Sequence, residues 1–350
     1  MAAVLESEVV VVGGGVMGCA TAAALARAGH RVTLLERFQL GHRRGSSHGA
    51  SRIFRLSYRH PRYVRMMQEA LPLWRRLGLE TGEQLLTVTG GLDGGAHLEL
   101  NAEAMRACGV GFERLDGTEV VRRFPSLAAD PGEAFLFQAE GGIVAADRAV
   151  GAFVASARAH GGDIVEGRRV LGSRPGDDAV EIHTEDEPYR ARVVVVTAGA
   201  WARGLLEPVG IRLPVRPTRE TVAYFRLDES LPVPTLVEWD EPAGYALRSP
   251  GQGIKAGEHG AGPEIDPDRE GGPSEASVDR LRTWIRKRYP AAEPEPHLVE
   301  TCLYTNTADE SFVLKRRGRL VVGSACSGHG FKFAPLIGER LAALAVKGAA

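Results

Sequence analysis

The chain reads as an α/β protein in which a Rossmann-like nucleotide-binding domain is interrupted by an inserted α+β domain built on an antiparallel sheet. Three observations predict this. A short apolar β-branched run, Glu8 to Val12, leads through glycines into a helix-like stretch, Gly18 to Ala28, and then a second apolar run, Val32 to Leu35. That is a β-α-β unit at the extreme N-terminus. From Val215 to about Thr305, short strand patterns alternate with Pro and Gly turns around one helical stretch, Ser277 to Tyr289, as an antiparallel sheet would. Finally, 350 residues exceed the roughly 100–200 of a single domain.

The remaining elements follow in order. Two amphipathic helical stretches, Val64 to Leu77 and Ala102 to Cys108, flank the turn-rich segment Thr87 to Gly95. Ala146 to His160 repeats apolar residues at three- and four-residue spacing and stops at Gly161-Gly162, which predicts a helix. Ala191 to Val196 predicts a strand that ends at Thr197-Ala198-Gly199-Ala200-Trp201. The Gly- and Pro-rich segment Gly257 to Pro273 predicts an exposed loop. Arg319 to Gly323 then reads as a strand and Pro335 to Ala345 as a helix. The nucleotide-binding domain is therefore placed at 1–85, 145–215 and 319–350, and the substrate domain at 86–144 and 216–318.

Composition narrows the function classes. Apolar residues make up 44% and charged residues 25%, with a formal net charge of -1, so nothing pulls toward nucleic acid or a membrane surface. The basic residues Arg43, Arg44, Arg52, Arg55, Arg59 and Arg62 cluster and read as local anion handling. No run of 18 or more apolar residues and no signal-peptide pattern occurs, which predicts a cytoplasmic protein. Cys19, Cys108, Cys302 and Cys326 fit neither a disulfide framework nor a zinc site. Metal and serine-hydrolase motifs are absent.

Val9-Val10-Val11-Val12-Gly13-Gly14-Gly15-Val16-Met17-Gly18 sets a Gly-x-Gly-x-x-Gly between strand and helix. Gly13 permits the tight turn, Gly15 lets backbone approach a pyrophosphate, and Gly18 lets helix pack on strand. The helix N-terminus, with Val16 and Met17, presents free N–H groups to the anion. Glu36 ends the second strand and is placed to accept from ribose hydroxyls, with Arg37 beside it. The loop alone leaves NAD and FAD both open.

Four further segments resemble, in order, motifs of the monomeric sarcosine oxidase and N-methyltryptophan oxidase family of FAD-dependent amine oxidases, over about Glu8 to Glu339. The first is Gly45-Ser46-Ser47-His48-Gly49-Ala50-Ser51-Arg52-Ile53-Phe54-Arg55. It is similar to a flavin-contacting segment ending Thr-Arg-x-x-Arg, with Ser51 in place of the threonine. By resemblance Ser46, His48, Ser51 and Arg52 contact the flavin, and Arg55 holds the substrate carboxylate. The second, Thr301-Cys302-Leu303-Tyr304-Thr305-Asn306-Thr307, resembles the segment whose cysteine forms a thioether to the flavin. Cys302 matches that cysteine, and Tyr304 matches a tyrosine bordering the substrate.

Third, Gly253-Ile254-Lys255-Ala256-Gly257-Glu258-His259 is similar to the family's Lys-x-Gly-x-His. Lys255 matches the lysine whose charge favours oxygen reduction, and His259 matches a histidine lining the pocket. Glu258 replaces an expected aromatic residue, and with Tyr245 it is expected to wall the pocket. Fourth, Gly328-His329-Gly330-Phe331-Lys332 lies within the signature Ser-Gly-His-Gly-Phe-Lys. Gly328, Gly330 and Phe331 would contact the flavin, and Lys332 would contact both flavin and substrate carboxylate. Val170, Gly199 and Trp201 match weaker nucleotide-contacting positions.

The resemblance implies a glutathione-reductase-like FAD domain and a monomer that oxidises a carboxylate-bearing secondary amine to an imine, with hydrogen peroxide formed from dioxygen. A flavin dehydrogenase, or an oxidase of larger amino-acid-derived substrates, is the alternative. The chain ends soon after its last helical pattern, which predicts a more open pocket.

Overall fold

The computed structural model describes residues 4–347. Its first sheet has eight strands and a parallel centre in which Asp163–Val165, Val32–Leu35, Leu5–Val12, Tyr189–Val196 and Leu320–Ser324 lie side by side. Val9 to Val12 and Val193 to Val196 are all buried. A parallel strand is covered on both faces, so an unbroken valine run suits it better than an alternating one. Val180–Thr184 and Val170–Pro175 extend one side by antiparallel pairing.

The helix Val16–Arg27 is buried almost throughout. It packs against Ala146–Ala159 and Ala334–Val346, and its many alanines allow the close approach. A side chain on Gly338 would stand 2.6 Å from the backbone of Ala20. That contact seats the last helix, and with it the chain turn that precedes it.

The second large sheet runs in the order Leu298–Asn306, Arg216–Phe225, Gly253–Glu258, Gly244–Ser249, Thr235–Glu238, Gly91–Gly94, Ala134–Gln138, Glu113–Asp116. It is mixed rather than purely antiparallel, because Thr235–Glu238 pairs parallel with Gly91–Gly94. Those residues lie in the Thr87 to Gly95 stretch expected to be turns. Its glycines were the reason for that expectation, yet Gly91 and Gly94 are strand residues packed closely against Gln138 and Phe135. Glu275–Arg288 covers one face of this sheet, capped by the Ser274 side chain accepting from Ser277 N–H. A third, small sheet of Ser51–Phe54, Gly142–Ala145 and Leu86–Val88 pairs with neither, and Ser51–Phe54 packs against Gly244–Ser249.

Two boundaries move. Gly257 and Glu258 belong to a buried strand, so the exposed loop begins after them. Val313–Arg317 pairs with Leu320–Ser324, which returns the chain to the first sheet at 313 and not at 319.

Gly338→Val is expected to destabilise by about 1–3 kcal/mol through overpacking, whereas Gly151→Ala, on an exposed helical position with nothing within 4 Å, should add about 0.5–1 kcal/mol. Thermal unfolding of the two variants checks both signs.

Candidate active site

One cavity of about 680 Å³ runs between the sheets, within the roughly 300–1,000 Å³ typical of small-molecule sites. Among the predicted residues Gly13, Gly15, Val16, Met17, Glu36, Arg37, Val170, Gly199 and Trp201 line one end. Ser46, His48, Ser51, Arg52, Lys255, Cys302, Gly328, Gly330, Phe331 and Lys332 line the rest, together with Arg55, Tyr245, His259 and Tyr304. Gly18 does not line it. A Cβ there would meet Gly13 O at 1.8 Å, so its part is the helix-on-strand packing.

At the nucleotide end Gly13 turns with φ +104, and a Cβ would collide with Thr197 and Ala198 at 2.8 Å. Glu36 accepts from Gly14 N–H at 2.5 Å and Phe38 N–H at 2.8 Å, with His42 Nε2 at 3.5 Å. Burial opposes its ionisation, but the hydrogen bonds from His42, Phe38 N–H and Gly14 N–H outweigh it and hold the carboxyl below its usual range. Arg37 donates to Asp268 at 2.6 Å, and Trp201 Nε1 donates to the same oxygen at 3.0 Å.

At the other end four cations converge. Arg52 donates to Ser46 O and His48 O at 2.9 and 2.6 Å, and its guanidinium lies 5.6 Å from the Phe331 ring centroid. Lys255 is buried and donates to Ser51 O at 3.3 Å. Burial, then the Arg52 charge, brings its ammonium down to about 7. Arg55 is buried and donates to Asp93 at 2.9 Å and Ser57 O at 2.6 Å. Lys332 is buried, donates to His329 O at 3.0 Å, and is pushed well below its ordinary range by burial, then by Arg55 and Arg52. Trp74 Nε1 fixes its backbone through a 2.7 Å hydrogen bond to Lys332 O. Arg55 and Lys332 lie 4.5 and 5.8 Å from one ring centroid, that of Tyr58.

Strand alternation accounts for what reaches the cavity. Cys302 and Tyr304 share a face of Leu298–Asn306, and Lys255 and His259 have the same parity. Glu258 has the opposite parity. It is buried against Arg280, whose Nε and Nη2 donate to it at 2.5 and 2.8 Å, so it is not a pocket wall. Tyr245 is one. Of the basic cluster, Arg43 pairs with Glu300 at the surface, Arg59 with Glu310, and Arg62 donates to Ser311. Arg52, Arg55 and Arg59 line the cavity, Arg59 from its exposed side.

Several lining or supporting residues escaped the sequence reading: Asp93, Tyr58, Trp239, Tyr224, Glu300 and Glu310. Asp93 sits in a glycine-rich stretch taken for a turn. The parity shared by Glu300, Cys302 and Tyr304 was the available signal for Glu300.

The arrangement fits a flavin dinucleotide. Ser51 and His48 line the cavity, and Ser51 Oγ and His48 Nδ1 are buried with no partner among the described residues. Burial, then Arg52 and Lys255, brings His48 down to about 4, so it is neutral at pH 7; its Nε2–H donates to Thr301 O at 3.1 Å, which leaves Nδ1 as an acceptor.

Comparison with known proteins agrees with this reading. The family described as FAD dependent oxidoreductase matches residues 8–344. Peroxisomal sarcosine oxidase of Homo sapiens is 35% identical, covering 97% of this chain and 92% of that protein. Monomeric sarcosine oxidase of Bacillus sp. (strain B-0618) is 32% identical over 97% of this chain and 92% of that protein. Among solved structures, the open form of NikD, described as an unusual amino acid oxidase essential for nikkomycin biosynthesis, superposes with a TM-score of 0.90 at 30% identity, covering 98% of this chain and 94% of that one.

Anion binding to the flavin-free protein is expected to weaken as pH rises through about 7, because Lys255 is charged below that value and neutral above it. Calorimetry with acetate in two buffers of different ionisation heat should show proton uptake near pH 8 that falls in Lys255→Met and in Lys332→Met and is removed by the two together.

Proposed function

The chain belongs to the FAD-dependent oxidoreductase family and is an FAD-dependent oxidoreductase acting on CH–NH donors; from that premise we propose that its substrate is a carboxylate-bearing secondary amine. An N-methyl amino acid such as sarcosine, or a cyclic imino acid such as pipecolate, would be oxidised to the imine while dioxygen becomes hydrogen peroxide. The observation that carries this is the pair Arg55 and Lys332, two buried basic groups around one tyrosine ring with, among the described residues, one buried carboxylate, Asp93, beside them. A substrate carboxylate supplies the missing negative charge.

Each residue then has a task. The Gly13–Gly18 turn and the N-terminus of Val16–Arg27 would hold the pyrophosphate, Glu36 the ribose, and Arg52, Ser51, His48, Gly328, Gly330 and Phe331 the flavin ring. When bound, FAD supplies the two-electron acceptor for a hydride equivalent from the carbon next to nitrogen. Arg55 and Lys332 dock the carboxylate, and so fix which carbon faces the ring. Tyr304, Tyr245 and His259 enclose the amine end. His259 is held by Glu310 at 3.3 Å. Lys255 would place positive charge where oxygen is reduced.

Cys302 is our candidate for covalent attachment. Its thiol is buried, lines the cavity and lies 3.8 Å from Ser46 O, next to the residues expected to hold the ring.

Acid precipitation followed by peptide mass spectrometry is expected to find FAD mass on the Cys302 peptide; a free thiol there would remove the thioether. Lys332→Met should raise KM for sarcosine by about 10–100-fold, the worth of a charged hydrogen bond of about 1.5–3 kcal/mol. Lys255→Met should slow flavin reoxidation by oxygen far more than anaerobic reduction by amine. Stopped-flow absorbance separates the two rates, and equal slowing would remove the role.

A further inference from the structure

Arg52, Lys255 and Tyr224 line one niche of the cavity, next to Gly49. The φ of Gly49 is +102, and a methyl group built on it would lie 3.4 Å from Arg52 Nη1, 3.6 Å from Lys255 Nζ and 3.8 Å from Tyr224 Oη. Three polar groups therefore gather beside Gly49. The third of these groups has no part in the scheme above, yet its placement is dictated by sheet register. Tyr224 stands directly opposite Lys255 on the neighbouring strand, and Glu300, paired with Val222, stands one diagonal step across the next strand. Tyr224 Oη donates to Glu300 Oε2 at 2.9 Å.

Burial changes along that rank. Tyr224 is 1% exposed and Lys255 5%, whereas the Glu300 side chain is 12% exposed and pairs at 2.5 Å with Arg43, whose side chain is 73% exposed. A hydrogen-bonded line thus runs from the surface through Glu300 to Tyr224, whose partner on the neighbouring strand is Lys255. A carboxylate placed only to hold a strand has no need of a buried tyrosine hydroxyl that donates to it beside a buried lysine.

We propose that Glu300 and Tyr224 carry a proton from solvent to the Lys255 niche during the oxygen half of the reaction. This rests on the oxidase reading and on Lys255 facing oxygen. Dioxygen takes two electrons and one proton, as a hydride equivalent, from the reduced cofactor and leaves as hydroperoxide ion. A second proton is needed to make hydrogen peroxide. The Lys255 N–H bond breaks and an O–H bond forms on the hydroperoxide. Glu300 takes a proton from water at the surface and passes it to the Tyr224 oxygen, while the Tyr224 hydroxyl, turned from Glu300 toward the niche, gives its own proton to Lys255 through a water between them. Electrons balance because all later steps move protons alone.

The surrounding charges suit this direction of flow. Lys255 is faced by Arg52, Asp147, Cys302 and Glu300, and Glu300 also faces His48. Burial and then Arg52 make Lys255 a ready proton donor near neutrality. Burial, then Glu300, holds the Tyr224 hydroxyl well above its ordinary range, so it passes a proton on without resting as tyrosinate.

The test uses holoenzyme for rates and flavin-free protein for titration. Tyr224→Phe and Glu300→Gly are each expected to slow oxygen-driven reoxidation by about 100-fold, the low end for positioned proton transfer, and anaerobic reduction by amine far less. Formate or acetic acid, added as a diffusible proton donor, should restore the Glu300→Gly rate in proportion to its concentration and leave Tyr224→Phe unrescued. In flavin-free protein, ultraviolet titration should show one buried tyrosine ionising at lower pH in Glu300→Gln than in the unaltered chain, and absent from Tyr224→Phe. Reoxidation within twofold of the unaltered rate in both variants, slowing without acid rescue, or an unmoved tyrosine titration would each overturn the relay. Lys255→Met distinguishes the underlying reading: if it too reoxidises at the normal rate, the assignment of the niche to oxygen fails; if it alone is slow, only the relay fails.

Discussion

The structure depends on gathering four basic groups around one largely buried space, Arg52 and Arg55 with fixed charge and Lys255 and Lys332 with depressed ammonium groups. Moving a charge of this size out of water costs several kcal/mol even after the protein relaxes. The chain offsets part of that with carbonyl oxygens: Ser46 O and His48 O receive Arg52, Ser51 O receives Lys255, and His329 O receives Lys332. Carbonyls solvate a cation without cancelling its charge. Only Arg55 has a buried carboxylate in contact. The uncompensated positive potential is both a cost to the empty fold and the source of its affinity for a dinucleotide and a carboxylate, so ligand binding and stability are linked through the same charges.

The carbonyls that bear this load sit at element ends. The segment before Ser51–Phe54 supplies Ser46 O and His48 O, and the turn before Ala334–Val346 supplies His329 O. The small sheet pairs Ser51–Phe54 with Gly142–Ala145, which fixes Arg52 and then Arg55 immediately beyond it. The seating of the last helix by Gly338 against Ala20 does the same for Lys332, aided by the Trp74 hydrogen bond. Packing far from the cavity therefore sets the positions of charges inside it.

Much of this was legible in the chain itself. The β-α-β unit announces itself because a strand covered on both faces must be apolar throughout, and the glycines at 13, 15 and 18 mark places where backbone comes too close for a side chain. Motif resemblance brought together residues as distant as Arg52, Lys255 and Lys332, which no local pattern could do. Local reading failed where tertiary packing overrode composition. Gly91 to Gly94 looked like a turn but is held as a strand by Phe135, Gln138 and Thr235–Glu238 on either side. Glu258 looked like a pocket wall from its neighbours in sequence, although its parity relative to Lys255 already assigned it to the opposite face. Tyr224, Asp93 and Trp239 were invisible because their importance comes from which strands pair, and pairing order is not written in any one segment.

The cations also come as two unlike pairs, and the difference between arginine and lysine gives that a consequence. Arg52 accompanies Lys255, and Arg55 accompanies Lys332. A guanidinium keeps its charge at any pH the protein meets, whereas a buried ammonium surrenders its proton readily. In each pair the arginine supplies fixed potential and, with burial, depresses the lysine beside it. The lysine is then an adjustable charge: it takes up a proton when an anion arrives and releases one when the anion leaves. Two fixed charges would bind carboxylate or peroxide too firmly to let go, and two lysines alone would be neutral before either arrived. One of each lets the site answer negative charge that appears and disappears within a turnover.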